Sequence, residues 1–132
     1  MADHYYTEDP VSKIIEKNFS QSIKGITLTF TTVSGVFSFE NKVDRASELL
    51  IKNFTPSSCP AGNNILDLGC DYGAIGLYLA ALYPDRDITM VDINNRAVDY
   101  TRKNANFNKL KVEVLASDLF SSLSGRCFAD IV

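Results

Sequence analysis

No apolar run in this 132-residue chain approaches the roughly 18 residues that a membrane helix needs. The opening Met1-Ala2-Asp3-His4-Tyr5-Tyr6-Thr7-Glu8-Asp9 is polar and acidic, without the apolar core of a signal peptide. A cytoplasmic protein with no membrane partner is the expectation. Cysteine is sparse and odd in number, and Cys59, Cys70 and Cys127 share no metal-like spacing, so reduced thiols are expected rather than disulfides or zinc. Positive charge is not in excess either. Thirteen Lys and Arg against 16 Asp and Glu leave a net charge of -3, so no global field draws in nucleic acid and an RNA contact has to be local. Arg96, Arg102, Lys103, Lys109 and Lys111 are the candidates for one, although a solvated helix face produces the same pattern. Repeats and low-complexity tracts are missing, and a second full domain does not fit. The remainder, 45% apolar and 22% charged, describes one soluble domain with a sizeable core.

What is present is an apolar run that ends in an acid and opens into a glycine-spaced turn, Asn64-Ile65-Leu66-Asp67-Leu68-Gly69-Cys70-Asp71-Tyr72-Gly73-Ala74-Ile75-Gly76. Ile65, Leu66 and Leu68 read as a buried strand. Gly69 and Gly73 let the backbone turn and approach a ligand, and Ala74 to Leu82 reads as a helix whose N-terminus faces it. An ordinary tight strand-to-helix connection would use the same glycines. Two further strands also lead into acids. Ile88-Thr89-Met90-Val91 ends in Asp92, roughly 20 residues past the turn, the separation at which such folds set a carboxylate on ribose hydroxyls. Val112-Glu113-Val114-Leu115 leads to Ala116-Ser117-Asp118, where a carboxylate can accept from an adenine amino group or cap the turn before Leu119. The dinucleotide fingerprint wants glycine where Asp71 stands, and a carboxylate there repels a pyrophosphate. S-adenosylmethionine has a sulfonium, an ammonium and no phosphate, so Asp67, Asp71 and Asp92 favour it over NAD or FAD.

Residues 1–54 differ in texture from the rest and read as an N-terminal hairpin and helix segment of the same domain. Ile26-Thr27-Leu28-Thr29-Phe30 and Val36-Phe37-Ser38-Phe39 both alternate around the turn signal Ser34-Gly35, which predicts an antiparallel hairpin between them. A short helix is expected from Asp44, as N-cap, through Lys52. After the breaker-rich linker Thr55 to Gly62, residues 64–132 alternate strand, helix, strand, helix, strand: Asn64 to Leu68, Tyr72 to Tyr83, Asp87 to Val91, Asn94 to about Asn106, and Val112 to Leu115. Such alternation predicts an α/β, Rossmann-like doubly wound and mainly parallel sheet with right-handed crossovers. The first helix is apolar on every side and should be well covered, with Pro84 ending it. Cys127 to Val132 reads as a fourth strand beside the first.

These residues together resemble class I S-adenosylmethionine-dependent methyltransferases, in particular the small-methyltransferase family that includes the ribosomal RNA guanine-N2 enzymes. The likeness runs over nearly the whole chain, from His4-Tyr5-Tyr6, Gly35-Val36-Phe37-Ser38, Val43-Asp44, Ala46-Ser47 and Leu49-Leu50 to the segment Ile65 to Gly76. It implies a cofactor site of Asp67, Gly69, Cys70, Asp71, Gly73, Asp92, Ile93, Ser117 and Asp118. In that site Gly69 and Gly73 lie against the methionine part, Asp92 takes the ribose hydroxyls, and Asp118 with the Ser117 backbone meets the adenine. Phe37, Ser38 and Ser47 would lie near the methionine end, though each also reads as an ordinary strand or helix residue, and His4 as a surface one. Asp71 departs from the glycine usual in this motif.

The resemblance implies an enzyme that transfers a methyl group to an exocyclic amino nitrogen, guanine N2 of ribosomal RNA, with that RNA as partner. Adenine N6 or a protein glutamine are alternative acceptors, and a non-catalytic cofactor-binding or scaffold module is the alternative of another class. The family's acceptor-gripping Asn-Pro-Pro tetrad is expected directly after the strand that ends near Val132. No catalytic residue is therefore assigned, and the 132-residue chain is expected to bind cofactor without methylating. The apolar edge at Phe128, Ile131 and Val132 is expected to recruit a second copy or a partner.

Overall fold

The computed structural model describes residues 14–35, 41–58 and 62–132; His4, Phe37, Ser38 and Cys59 lie outside them. The elements run β1 (Glu16–Ile23), β2 (Ile26–Val33), α1 (Arg45–Asn53), β3 (Asn64–Leu68), α2 (Ala74–Leu82), β4 (Asp87–Asp92), α3 (Asn95–Phe107), β5 (Glu113–Ala116) and β6 (Asp130–Ile131). The last four strands form one parallel sheet in the order β5-β4-β3-β6. This is the Rossmann-like arrangement the alternation predicts. Because β4 and β5 step away from β3 on one side while β6 returns to its other side, the strand order reverses at β3, and a crevice opens at the carboxyl ends of the strands.

Local signals account for each helix end. Asp44 accepts the Ser47 N–H at 3.1 Å and caps α1. Asn94 accepts the N–H groups of Arg96 (2.9 Å) and Ala97 (3.2 Å) and caps α3. Helix α2 carries no charged residue and buries Ala74, Gly76, Leu77, Tyr78 and Leu79, so it lies between the sheet on one side and the hairpin and α1 on the other. Its main partners include Ile65 of β3, Met90 of β4 and Phe30 of β2, all fully buried. Phe30 meets Tyr72 edge to face and Tyr78 at a tilt, with ring centroids 5.5 and 5.7 Å apart, which welds the hairpin to the glycine turn and to α2. The opposite face of the sheet carries Leu66 and Val91, covered by Leu123 from the segment between β5 and β6.

The hairpin among the described residues lies upstream of the one expected from the alternation. Strand β2 pairs with Glu16–Ile23; the expected partner, residues 36–39, lies outside the described residues. Lys24 and Gly25 close the hairpin with φ of 52° and 80°, the pair of left-handed residues that a two-residue turn between twisted strands requires. The other edge of β2 is occupied as well. Asn104 accepts the Thr31 N–H at 2.9 Å and donates to the Thr31 carbonyl at 3.1 Å; Asn108 does the same with Thr29, at 3.0 and 2.8 Å. Four residues of helix rise about 6 Å and two of strand about 6.7 Å, so two asparagines one turn apart can imitate a neighbouring strand.

Candidate functional site

At the carboxyl ends of β3, β4 and β5 lies a groove of about 510 Å³. Five of the sequence candidates, Gly69, Asp92, Ile93, Ser117 and Asp118, line it together with Leu68, Val91 and Leu119. Of the other expected residues, Asp67 lies within β3, and Cys70, Asp71 and Gly73 lie in the turn that follows it. Leu119 was missed by sequence reasoning. It directly follows a strand-end acid, stands 63% exposed, and holds a φ of 53°, so an apolar side chain is displayed at the rim.

The turn is close-packed. Gly73 sits at φ 108°, and a Cβ there would come within 3.1 Å of Leu77 Cδ1 and 3.2 Å of Thr101 Cγ2. Gly76 has no room at all for a side chain, since a Cβ would meet Met90 Cε at 2.5 Å and Asp67 Oδ2 at 2.9 Å. Helix α2 thereby approaches β3 and β4 closely enough for the Gly76 N–H to donate to Asp67 Oδ2 at 3.0 Å. Burial pushes the Asp67 carboxyl up to about 7; the Gly76 hydrogen bond pulls the other way, and the neighbouring Asp92 and Asp71 charges add to the rise. Burial likewise raises the Cys70 thiol, whose sulfur lies 3.5 Å from Thr101 Oγ1. Cys70 is a small residue that fits the turn, protonated and unsuited to nucleophilic work.

Asp92 is buried at the end of β4, and both its oxygens accept backbone amides: Oδ1 from Asn94 and Oδ2 from Asp71, each at 2.9 Å. The turn's earlier amides are also spent inside the fold, since the Gly69 and Cys70 N–H groups both donate to the Val91 carbonyl, at 2.9 and 2.8 Å. A pyrophosphate needs such amides as a cradle, and three consecutive ones here already have carbonyl or carboxylate partners. Asp71 adopts φ 57°, the left-handed conformation that the family's glycine takes freely. On the third strand Ser117 donates its N–H to the Asp92 carbonyl at 2.9 Å and its hydroxyl to Leu119 O at 2.7 Å, which shapes the rim, while the Asp118 carboxyl is exposed to the groove.

Other sequence candidates lie elsewhere. Ser47 sits in the first turn of α1, its N–H held by Asp44. The five bases do not make one surface: Arg96 donates to Ser34 O at 2.7 Å, and Lys103 pairs with Glu16 at 3.7 Å and lies over the Tyr100 ring. Arg102, Lys109 and Lys111 line a separate hollow of about 500 Å³ at the start of β5. Two polar residues of α3 escaped the sequence reading. Thr101 and Asn104 are buried and donate to consecutive turn carbonyls, Thr101 Oγ1 to Asp71 O and Asn104 Nδ2 to Tyr72 O, both at 2.8 Å. Polar side chains at i and i+3 on the buried stripe of Ala97, Val98 and Ala105 are the signal that could have found them. Among the described residues no group of three or more His, Cys, Asp or Glu is placed to hold a metal, and no helix is long and apolar enough to cross a membrane.

Comparison with known proteins adds the family. The chain is 43% identical over 134 residues to the Bacillus subtilis protein YbxB, which is uncharacterized, covering 100% of this chain and 65% of that one. It is 36% identical over 99 residues to ribosomal RNA small subunit methyltransferase C of Pasteurella multocida, 75% of this chain and 29% of the relative. The T. thermophilus 16S rRNA N2 methyltransferase, solved in complex with AdoMet and guanosine, superposes with a TM-score of 0.75 at 31% identity over 92% of this chain and 33% of that one. A Pyrococcus abyssi tRNA methyltransferase, at 18% identity and a TM-score of 0.58, shares the fold. The chain thus spans about a third of the named ribosomal RNA enzymes and about two thirds of YbxB. Residues 27–132, which include the whole parallel sheet and the groove at its strand ends, match the methyltransferase small domain, and the chain belongs to that family.

Proposed function

We propose that the groove binds S-adenosylmethionine and that the protein transfers its methyl group to an exocyclic amino nitrogen, guanine N2 of ribosomal RNA. The observation that carries the cofactor reading is the internal use of the Gly69, Cys70 and Asp71 amides beside buried acids. Those three amides are committed inside the fold and offer a pyrophosphate no cradle, and the Asp71 and Asp92 carboxylates beside them suit a cation. In this reading Asp92 accepts the ribose hydroxyls. Ser117 and Asp118 meet the adenine edge, Ile93 and Leu119 its faces, and Gly69 and Gly73 the methionine part, with Asp71 supplying negative charge at that end. The bound cofactor supplies a methyl group already activated as a sulfonium. The chain's own residues contribute position and a dry, negatively polarised wall, which is the larger share of catalysis for such a transfer.

The acceptor follows the named relatives, ribosomal RNA small subunit methyltransferase C and the T. thermophilus N2 enzyme solved with guanosine. Thermal unfolding with S-adenosylhomocysteine and with NAD tests the cofactor half. Ligand at about 100 times its Kd adds roughly 2.7 kcal/mol, and the expectation is a clear upward shift with S-adenosylhomocysteine and none with NAD. A larger shift with NAD overturns it. Labelled methyl transfer to undermethylated ribosomal RNA, with the modified base identified after digestion, tests the acceptor half; label on adenine N6 or on protein would replace guanine N2.

A further inference from the structure

Helix α3 reaches the groove only through other residues, and one of its side chains stands at the start of a short relay. Thr101 is fully buried, and its Oγ1 donates to the Asp71 carbonyl at 2.8 Å. A threonine hydroxyl inside a helix ordinarily bonds back to a carbonyl of its own helix; this one reaches a residue 30 positions earlier in the chain. Asp71 holds φ 57°, a conformation that side chains other than glycine adopt reluctantly, so its peptide stays there only if something fixes it. Its carbonyl is fixed by Thr101. Its N–H donates to Asp92 Oδ2 at 2.9 Å, on the carboxylate that forms the groove wall. Asn104 holds the next carbonyl, that of Tyr72, at 2.8 Å, so the turn cannot swing about Asp71 without breaking two bonds to α3.

We propose that Thr101 is a positioning residue for ribose recognition: its hydroxyl holds Asp71 in the left-handed conformation from which the Asp71 N–H aims the Asp92 carboxylate into the groove. This rests on the cofactor reading above. It also explains how a residue other than glycine is accommodated at position 71. The conformational freedom that glycine would bring is replaced by a hydrogen bond from behind.

The test is a double-mutant cycle on the 132-residue chain, read as S-adenosylhomocysteine affinity by calorimetry. Thr101→Val keeps the shape and removes the hydroxyl. It should weaken binding about 10-fold, the worth of one buried hydrogen bond, and Thr101→Ser should recover all but about 3-fold. In an Asp92→Ala background the same Thr101→Val change should cost less than about 2-fold, because the group it aims is gone. A threonine with only a packing role would instead show equal losses in both backgrounds, or equal losses for Val and Ser, and either result overturns the proposal. Unchanged affinity in Thr101→Val overturns it too. If Asp92→Ala does not fold, the 2′-deoxy analogue of the ligand takes its place: Thr101→Val should then penalise the natural ligand more than the analogue, and equal penalties overturn the proposal. Wild-type protein that binds neither ligand overturns the cofactor reading and this inference together, whereas wild-type binding with independent mutational effects overturns this inference alone.

Discussion

Strand β5 has a hollow at each end, one of about 510 Å³ beyond its carboxyl end and one of about 500 Å³ beside its start. The first carries Asp92 and Asp118, the second Arg102, Lys109 and Lys111. Equal size and opposite charge make them look like two sites. They differ in how their charges are held. Asp92 is 3% exposed and gripped by two backbone amides, with Asp67 buried behind it. Arg102, Lys109 and Lys111 are all exposed, and Arg102 is turned aside to Val114 O at 2.7 Å and to Asp99 at 4.0 Å. A parallel sheet delivers every strand's carboxyl end to the same rim, so short polar turns meet there and can fix one another. The other rim receives the ends of helices, whose long basic side chains remain solvated and worth little individually.

Three experiments can break or sharpen this contrast. The largest effect is expected from Asp92→Ala. Losing charge-assisted bonds to the ribose should weaken S-adenosylhomocysteine binding by roughly 10- to 150-fold in calorimetry, with circular dichroism still reporting a folded chain. Unchanged affinity in a folded variant would return Asp92 to the purely local work of holding Asp71 and Asn94.

A smaller effect is expected from Asp67→Asn on the pH dependence of stability. Burial raises this carboxyl from 3.8 to about 7 in the folded protein, so the native state keeps a proton that the unfolded chain has already released. Its contribution is therefore fully present below about pH 4 and is lost as pH rises through about 7, with a slope of up to about 1.4 kcal/mol per pH unit in between. Urea unfolding across that window should show the wild type losing stability relative to Asp67→Asn as pH rises. Parallel profiles would mean that the acid end is less dry than its burial indicates.

The smallest effect is expected at the basic end. Reversing both lysines, Lys109→Glu with Lys111→Glu, should leave S-adenosylhomocysteine affinity within about 2-fold, because both are exposed and lie at the far end of β5. A larger loss, measured at physiological salt, would show that charge at that rim reaches the groove.

Much of the site could be read in the chain because it depends on local order. An apolar run ending in an acid, then glycines, then another apolar run puts Gly69, Asp92, Ile93, Ser117 and Asp118 at neighbouring strand ends in any parallel sheet, whatever surrounds it. The Asp44 cap and the helix start at Asn94 are legible for the same reason. The upstream partner of β2 was not legible because alternation marks a strand without naming its partner. Ser34-Gly35 and Lys24-Gly25 are both turns, and β2 lies between them. Asn104 and Asn108, 73 and 79 positions from Thr31 and Thr29, hold the edge of β2 away from β1.

By itself, then, the sequence determined the alternation of strands and helices, their ends, and the acids that meet at one rim, since periods of two and 3.6 residues and cap chemistry act over a few positions. The tertiary structure decided which strand pairs with β2, that Asp71 adopts a left-handed conformation, that the amides of Gly69, Cys70 and Asp71 are spent inside the fold, and that Thr101 and Asn104 hold the turn from behind. Each of these is a hydrogen bond or a close contact between segments distant in sequence. Such a partner is selected by the packing of the whole core around it, and no local pattern records that selection.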